Sequence, residues 1–211
     1  MTIDPSTTFP SGFFSRQDET SDEEFYAVDR FVTHIDDHAI AAVGALYDEL
    51  ELTGDVLDIC SSWISHFRTP PARLVVAGMN DAELAANEMA DERVVRDLNR
   101  DPRLPFDDAA FDAITCAVSV DYLTRPLEVF AEVRRVLKPG GVFVCTFSNR
   151  CFPTKVIRGW LSTDDRGRCA IVSTYFDLTD GFADPSVELR NAGAPGDPLY
   201  AVWARRHSDV Q

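Results

Sequence analysis

Short apolar runs, each separated from the next by a polar or helix-patterned stretch, recur through the middle of this sequence and narrow its fold more than any other feature. They are Val56–Cys60, Leu74–Ala77, the weaker Arg93–Arg96, Phe111–Val118 and Val142–Phe147. Their brevity and β-branched content read as strands, and runs that are apolar at successive positions read as strands buried on both faces. Between the last two, Leu127, Phe130, Val133 and Leu137 fall on one face of a helix over 126–137. Strand–helix–strand alternation with doubly buried strands implies a parallel sheet covered by helices on both sides. Ser186–Arg190 and Leu199–Arg205 add two further strands. The expected architecture is an α/β three-layer sandwich whose mostly parallel, seven-stranded sheet is closed by an antiparallel C-terminal strand pair.

The 211 residues suit one α/β domain with a full core. Residues 1–22 are polar and acidic and read as a poorly ordered tail, although Phe9, Phe13 and Phe14 could dock on the body. Residues 23–50 carry Phe31, Ile35, Ala39, Val43, Leu46 and Leu50 at helical spacing and read as two helices, with Thr33 or Asp36 capping the second. Residues 51–150 hold the strand series, and 151–211 the remainder of a single domain over 23–211.

Charge and composition limit function. The 35 acids and 20 bases leave a formal charge of −15, which repels nucleic-acid phosphates and anionic membranes. Only Lys138 and Lys155 are lysines. Acidic groups that hold hydration in high salt, or a GC-rich genome favouring Arg, Asp and Ala codons, account equally for that balance. No apolar run is long enough to cross a bilayer and no signal peptide is visible, so a cytoplasmic protein is expected. Cys60, Cys116, Cys145, Cys151 and Cys169 form no CxxC pair and read as buried free thiols.

In an open parallel sheet, ligands collect beyond the C-terminal strand ends, where strand order reverses. That rule brings together Asp58–Ser65, Gly78–Asp81, Asp97–Asn99, Val118–Tyr122 and Ser148–Cys151.

The stretches Leu104-Pro105-Phe106-Asp107-Asp108, Phe111-Asp112-Ala113-Ile114 and Glu132-Val133-Arg134-Arg135-Val136-Leu137-Lys138-Pro139-Gly140-Gly141 resemble, in order and spacing, class I (Rossmann-like) S-adenosylmethionine-dependent methyltransferases of the type 11 group. Pro139-Gly140-Gly141 is read as scaffold, a helix break and tight turn. The resemblance implies S-adenosylmethionine as methyl donor, with 23–50 as a lid, 51–150 as the cofactor-binding core and 151–211 as a substrate-side segment. It implies that Asp58 is the acid opening the first cofactor loop, with Cys60, Ser61 and Ser62 in that loop. Cys60, Ser62 and Ile64 stand where the family has glycines, whose freedom lets backbone approach the ligand. Gly78 occupies the place of the family's ribose-binding acid, followed by Met79 and Asn80, and Asn80 offers an uncharged hydrogen bond there. Asp97 matches the acid that receives the adenine amino group, with Leu98 beside the ring; a loop-capping carboxylate is the plainer alternative. Val118, at the start of the loop after the fourth strand, adjoins the methyl end. Asp58–His66, Gly78-Met79-Asn80, Asp97-Leu98-Asn99, Ser148–Phe152 and Arg30–Asp36 together also resemble an uncharacterised methyltransferase-like subfamily with such atypical loops.

The short stretch after the fifth strand supplies no large separate substrate domain, which favours a compact, small-molecule acceptor. Candidates near it are His34, Tyr122, Asn149 and Arg150. His34 suits a general base or a lid surface group. Arg150 suits an anionic acceptor or a surface ion pair. Tyr122 and Trp63 suit a pocket wall or the core, and Cys60 and Cys151 a soft or oxidisable site or simple packing. His34 and His38, at i, i+4, lack a third partner, so no metal is expected. A non-catalytic binding protein on the same fold, or one holding another nucleotide or sulfonium ligand, is the rival reading.

Overall fold

A computed structural model describes residues 8–208. Seven strands form one sheet: β1 (Asp55–Ile59), β2 (Arg73–Gly78), β3 (Glu92–Val95), β4 (Phe111–Ala117), β5 (Leu137–Phe147), β6 (Ser186–Leu189) and β7 (Tyr200–Arg205), in the order 3-2-1-4-5-7-6. β1 to β5 pair in parallel, and β7 runs antiparallel to both β5 and β6. The order reverses between β1 and β4, where Asp58 lies opposite Thr115.

Side-chain alternation sorts the strands onto two cores. Leu57, Ile59, Val75, Ile114, Cys116, Phe143 and Cys145 face one, shared with α4 (Pro126–Val136) and α6 (Asp165–Asp177). Val56, Leu74, Val76, Ala113, Val142 and Val144 face the other, packed on α2 (Asp37–Glu49). The Asp36 carboxylate accepts the Ala39 N–H at 2.9 Å and so fixes where α2 starts. Three short helices, α1 (Asp22–Phe25), α3 (Asp81–Ala85) and α5 (Arg158–Leu161), sit at loop ends.

The fold departs from the sequence expectations in four places. First, residues 26–36 run as turns between α1 and α2, so His34 precedes the helix that carries His38, and Phe31 is exposed. Second, β1 and β2 are joined by residues 60–72 without a helix, because Pro70-Pro71 and the serine-rich start offer no helical face; α2 covers that side of the sheet instead. Third, Pro139-Gly140-Gly141 is a bulge inside β5: Leu137 pairs with Phe111, the next partners are Val142 and Ala113, and Gly140 has φ +79°.

Fourth, residues 8–22 are not a loose tail. Phe9, Phe13 and Phe14 pack on the α4/α6 core, with Phe9 5.7 Å from the Tyr175 ring. Gly159 N–H donates to the Phe13 carbonyl and Arg158 N–H to that of Ser15. Lys155, fully buried, donates to the Thr20 carbonyl at 2.7 Å and pairs with Asp18 and Asp22 at 3.3 and 3.4 Å. Three apolar rings and a buried cation hold a segment that is acidic in composition. Residues 1–7 of the expected tail lie outside the described residues.

Candidate functional site

One cavity of about 390 Å³ opens beyond the C-terminal ends of β1 to β4. Its floor begins at Asp58, buried at the end of β1. One carboxylate oxygen accepts the Thr115 hydroxyl at 2.7 Å, and the other accepts those of Ser61 and Ser65 at 2.7 and 2.8 Å. Burial pushes this carboxyl up to about 6, against the pull of the three hydroxyls. The loop after β1 is therefore pinned by serine side chains where a glycine-rich loop would rely on backbone freedom. Cys60 takes φ +53° in the first glycine's place. Ser62 donates to Glu83 at 2.5 Å, and the Asn87 amide donates to the Ser62 carbonyl and the Ser65 hydroxyl.

The same loop explains the residue at the end of β2. A Cβ on Gly78 would stand 2.1 Å from the Ser61 carbonyl oxygen, so no side chain fits there. Asn80, two residues on, has its oxygen and its nitrogen both bonded within the protein. Its oxygen accepts the Glu83 N–H at 3.0 Å, and its nitrogen donates to the Tyr26 carbonyl at 3.0 Å and to Asp29 at 2.8 Å. Asn80 lines the cavity as the cap of α3, not as the free hydrogen-bonding group expected from the sequence.

At the third corner, one Asp97 oxygen accepts the N–H groups of Asn99 and Arg100 at 2.9 and 3.1 Å. The other has no partner among the described residues, so the carboxylate caps its turn and still faces the cavity. Leu98 is buried beside it. Beyond β4, Val118 holds φ +47°, a left-handed conformation that costs a β-branched residue about 1–3 kcal/mol, while its N–H donates to the Thr146 carbonyl at 2.7 Å.

The opposite wall comes from the N-terminal segment and the chain after β5. Phe152 sits 5.4 Å from Phe25, 5.4 Å from the His34 ring and 6.2 Å from Tyr122. Tyr122 accepts the Phe152 N–H at 2.8 Å, and burial holds its phenol proton well above the usual range. The Arg30 guanidinium lies 4.5 Å over the Phe25 ring. Burial lowers His34, and lowers His66 to about 4 with His34 adding to the effect, so both imidazoles are neutral at pH 7.

All ten cofactor-side candidates, Asp58, Cys60, Ser61, Ser62, Gly78, Met79, Asn80, Asp97, Leu98 and Val118, line this cavity. So do His34, Tyr122 and Arg150. Arg150 is exposed at the mouth without the ion pair that was one reading of it, among the described residues. Asn149 is a correction: it is exposed and outside the cavity, its side chain turned to the Ser148 hydroxyl at 3.3 Å. Burial raises the Cys151 thiol, which disfavours a reactive thiolate there. Sequence reasoning passed over Tyr26 and Glu83, and included His66 only as the end of the Asp58–His66 stretch, without a role. The Asn80-to-Glu83 spacing signals a helix start, and nothing in it marks Glu83 as part of a cavity.

A seven-stranded 3-2-1-4-5-7-6 sheet with its cavity at the β1/β4 reversal is the fold of class I methyltransferases. Comparison with known proteins agrees: residues 60–145 match the family described as "Methyltransferase domain". The ubiquinone/menaquinone biosynthesis C-methyltransferase UbiE of Paracoccus denitrificans is 33% identical over 112 residues, 49% of this chain and 44% of that protein. The demethylmenaquinone methyltransferase of Clavibacter sepedonicus is 43% identical over 58 residues, 27% of this chain and 23% of its own length. The chain thus spans less than half the length of these curated relatives. A SAM-dependent methyltransferase from Aquifex aeolicus shares the fold at a TM-score of 0.57 and 14% identity, covering 80% of this chain and 91% of that one. Among the described residues no helix is long and apolar enough to cross a membrane, and no three His, Cys, Asp or Glu side chains are grouped to hold a metal ion.

Proposed function

We propose that this protein is an S-adenosylmethionine-dependent methyltransferase acting on a small-molecule acceptor. One observation carries the reading: the loops after β1, β2, β3 and β4 close around a single cavity at the strand-order reversal, with an unpaired Asp97 oxygen on its wall. The residues fit the cofactor. Asp97 and Leu98 would hold the adenine, the Cys60–Ser62 loop and Val118 present backbone to the methionine end, and Asp58 fixes that loop. S-adenosylmethionine, when bound, supplies a methyl group on an already activated sulfonium. The chain's own task is then mainly positioning. Tyr26, Tyr122 and Phe152 wall the acceptor end and exclude water. His34, kept neutral by burial, can take a proton from an acceptor hydroxyl, and Arg150 can meet an anionic group at the mouth. A flat ring fits these walls, in keeping with the ubiquinone- and menaquinone-directed names of the relatives.

Calorimetric titration with S-adenosylmethionine and S-adenosylhomocysteine, at low and high salt, tests the reading. Micromolar binding is expected, weakened by about tenfold or more in Asp97→Ala, which removes a charge-assisted hydrogen bond. Absence of binding at either salt concentration would sink the assignment.

A further inference from the structure

If the cofactor reading holds, its ribose diol needs a receptor, and the usual one cannot exist here. The Ser61 carbonyl fills the space a side chain at Gly78 would occupy, and the Asn80 amide has both N–H donors spent and one oxygen lone pair taken, leaving a single neutral acceptor position where a diol presents two donors. Four carboxylates line the cavity: Asp22, Asp58, Glu83 and Asp97. Asp22 is held by Arg16, Lys155 and Asn99, and Asp58 is wrapped by three hydroxyls. Asp97, on the turn after β3, is the carboxylate assigned above to the adenine.

Glu83 differs from all of these. It is buried in the first turn of α3, and one oxygen accepts the Arg30 backbone N–H at 2.7 Å while the other accepts the Ser62 hydroxyl. In an ordinary capping box the glutamate would fold back to its own N-cap residue; this one reaches across to the lid and the first loop. Both donors are neutral, and no basic side chain pairs with Glu83 among the described residues. The Arg30 guanidinium turns instead to the carbonyls of Val28 and Phe25. Each carboxylate oxygen keeps a lone pair for one more donor, and a buried, unpaired charge gains most from donors that come with a ligand. A vicinal diol offers two hydroxyl donors to two such oxygens. We infer that Glu83 receives the ribose hydroxyls of the cofactor, taking over from β2's end the role that Gly78 leaves empty. The assignment rests on the cofactor reading above.

The test is calorimetric, on the full chain, with S-adenosylhomocysteine and its 2′,3′-dideoxy analogue. Wild type is expected to bind the dideoxy analogue at least about tenfold more weakly, the scale of charge-assisted hydrogen bonds. Glu83→Gln should bind S-adenosylhomocysteine about ten- to a hundredfold more weakly and treat the two ligands nearly alike. Asp29→Asn, a neighbouring exposed acid on Asn80, should discriminate as wild type does. Wild type that binds both ligands alike overturns the assignment, and this arm needs no variant to fold. So does Glu83→Gln with undiminished discrimination, or discrimination lost in Asp29→Asn. Failure of wild type to bind S-adenosylhomocysteine at all is a different result, and it overturns the cofactor reading together with this one.

Discussion

At Gly78 a hydrogen atom is all that fits between the end of β2 and the carbonyl of Ser61, and two sequence departures turn out to have one cause. The serine-pinned first loop lies across β2's end, so the loop that lacks glycines and the strand that lacks its acid are parts of one rearrangement. Gly78→Ala is expected to destabilise the protein by about 1–3 kcal/mol, since backbone on both sides must shift, and to weaken S-adenosylhomocysteine binding. Gly193→Ala is the control. It has φ +77° and nothing within 4 Å of a new Cβ, so it should cost about 1–2 kcal/mol from backbone strain and leave binding intact. Urea unfolding and calorimetry on both variants separate the two effects. Asp58, Gly78 and Asp97 were legible in the sequence because each lies at or just past the C-terminal end of a strand, and strand ends can be read from apolar runs. Glu83 was not, because its direction depends on residues 26–36, whose turns carry no periodic pattern.

Helices and strands were legible to within a residue or two wherever burial imposed a period, as in β1, β2, β4 and α4. The N-terminal segment was not, because its attachment is made by a few distant partners. Asp22 sits at the centre: Arg16 at 2.7 Å, Lys155 at 3.4 Å and the Asn99 amide at 2.8 Å all converge on it. Removing it takes from Arg16 its closest carboxylate and from Lys155 one of its two, Asp18 remaining at 3.3 Å, and the two cations' side chains are only 8% and 1% exposed. Asp22→Ala should therefore cost about 3–5 kcal/mol. Lys155→Met, by contrast, leaves Asp22 with Arg16 and Asn99 and puts an apolar chain into a buried space. It should cost clearly less, and that inequality in urea midpoints is the check. Equal costs would mean that the segment is held by its phenylalanines alone. The cluster also connects stability to the site, because Asp22 and Tyr26 both line the cavity.

For the molecule as a whole, the formal charge of −15 sets two opposing effects against each other. Added salt weakens attractive surface pairs such as Arg73–Glu92, Arg93–Asp81 and Arg100–Glu23, and it also screens repulsion among the excess acids. Exposed pairs contribute little each, about 0–1 kcal/mol, whereas repulsion acts among every acid lacking a partner. Asp177 shows it locally: burial first, and then the charge of Asp184, raise its carboxyl above the usual range. Screening lengths fall from about 10 Å at 0.1 M salt to about 3 Å at 1 M, which reaches such neighbours. The expected result is a thermal midpoint that climbs steadily with KCl into the molar range, and climbs far less in sucrose of equal osmolality, which strengthens burial without screening charge. A flat or falling KCl curve would mean that the buried networks already offset the repulsion. The excess of aspartate over lysine would then follow from codon usage, not from a need for salt.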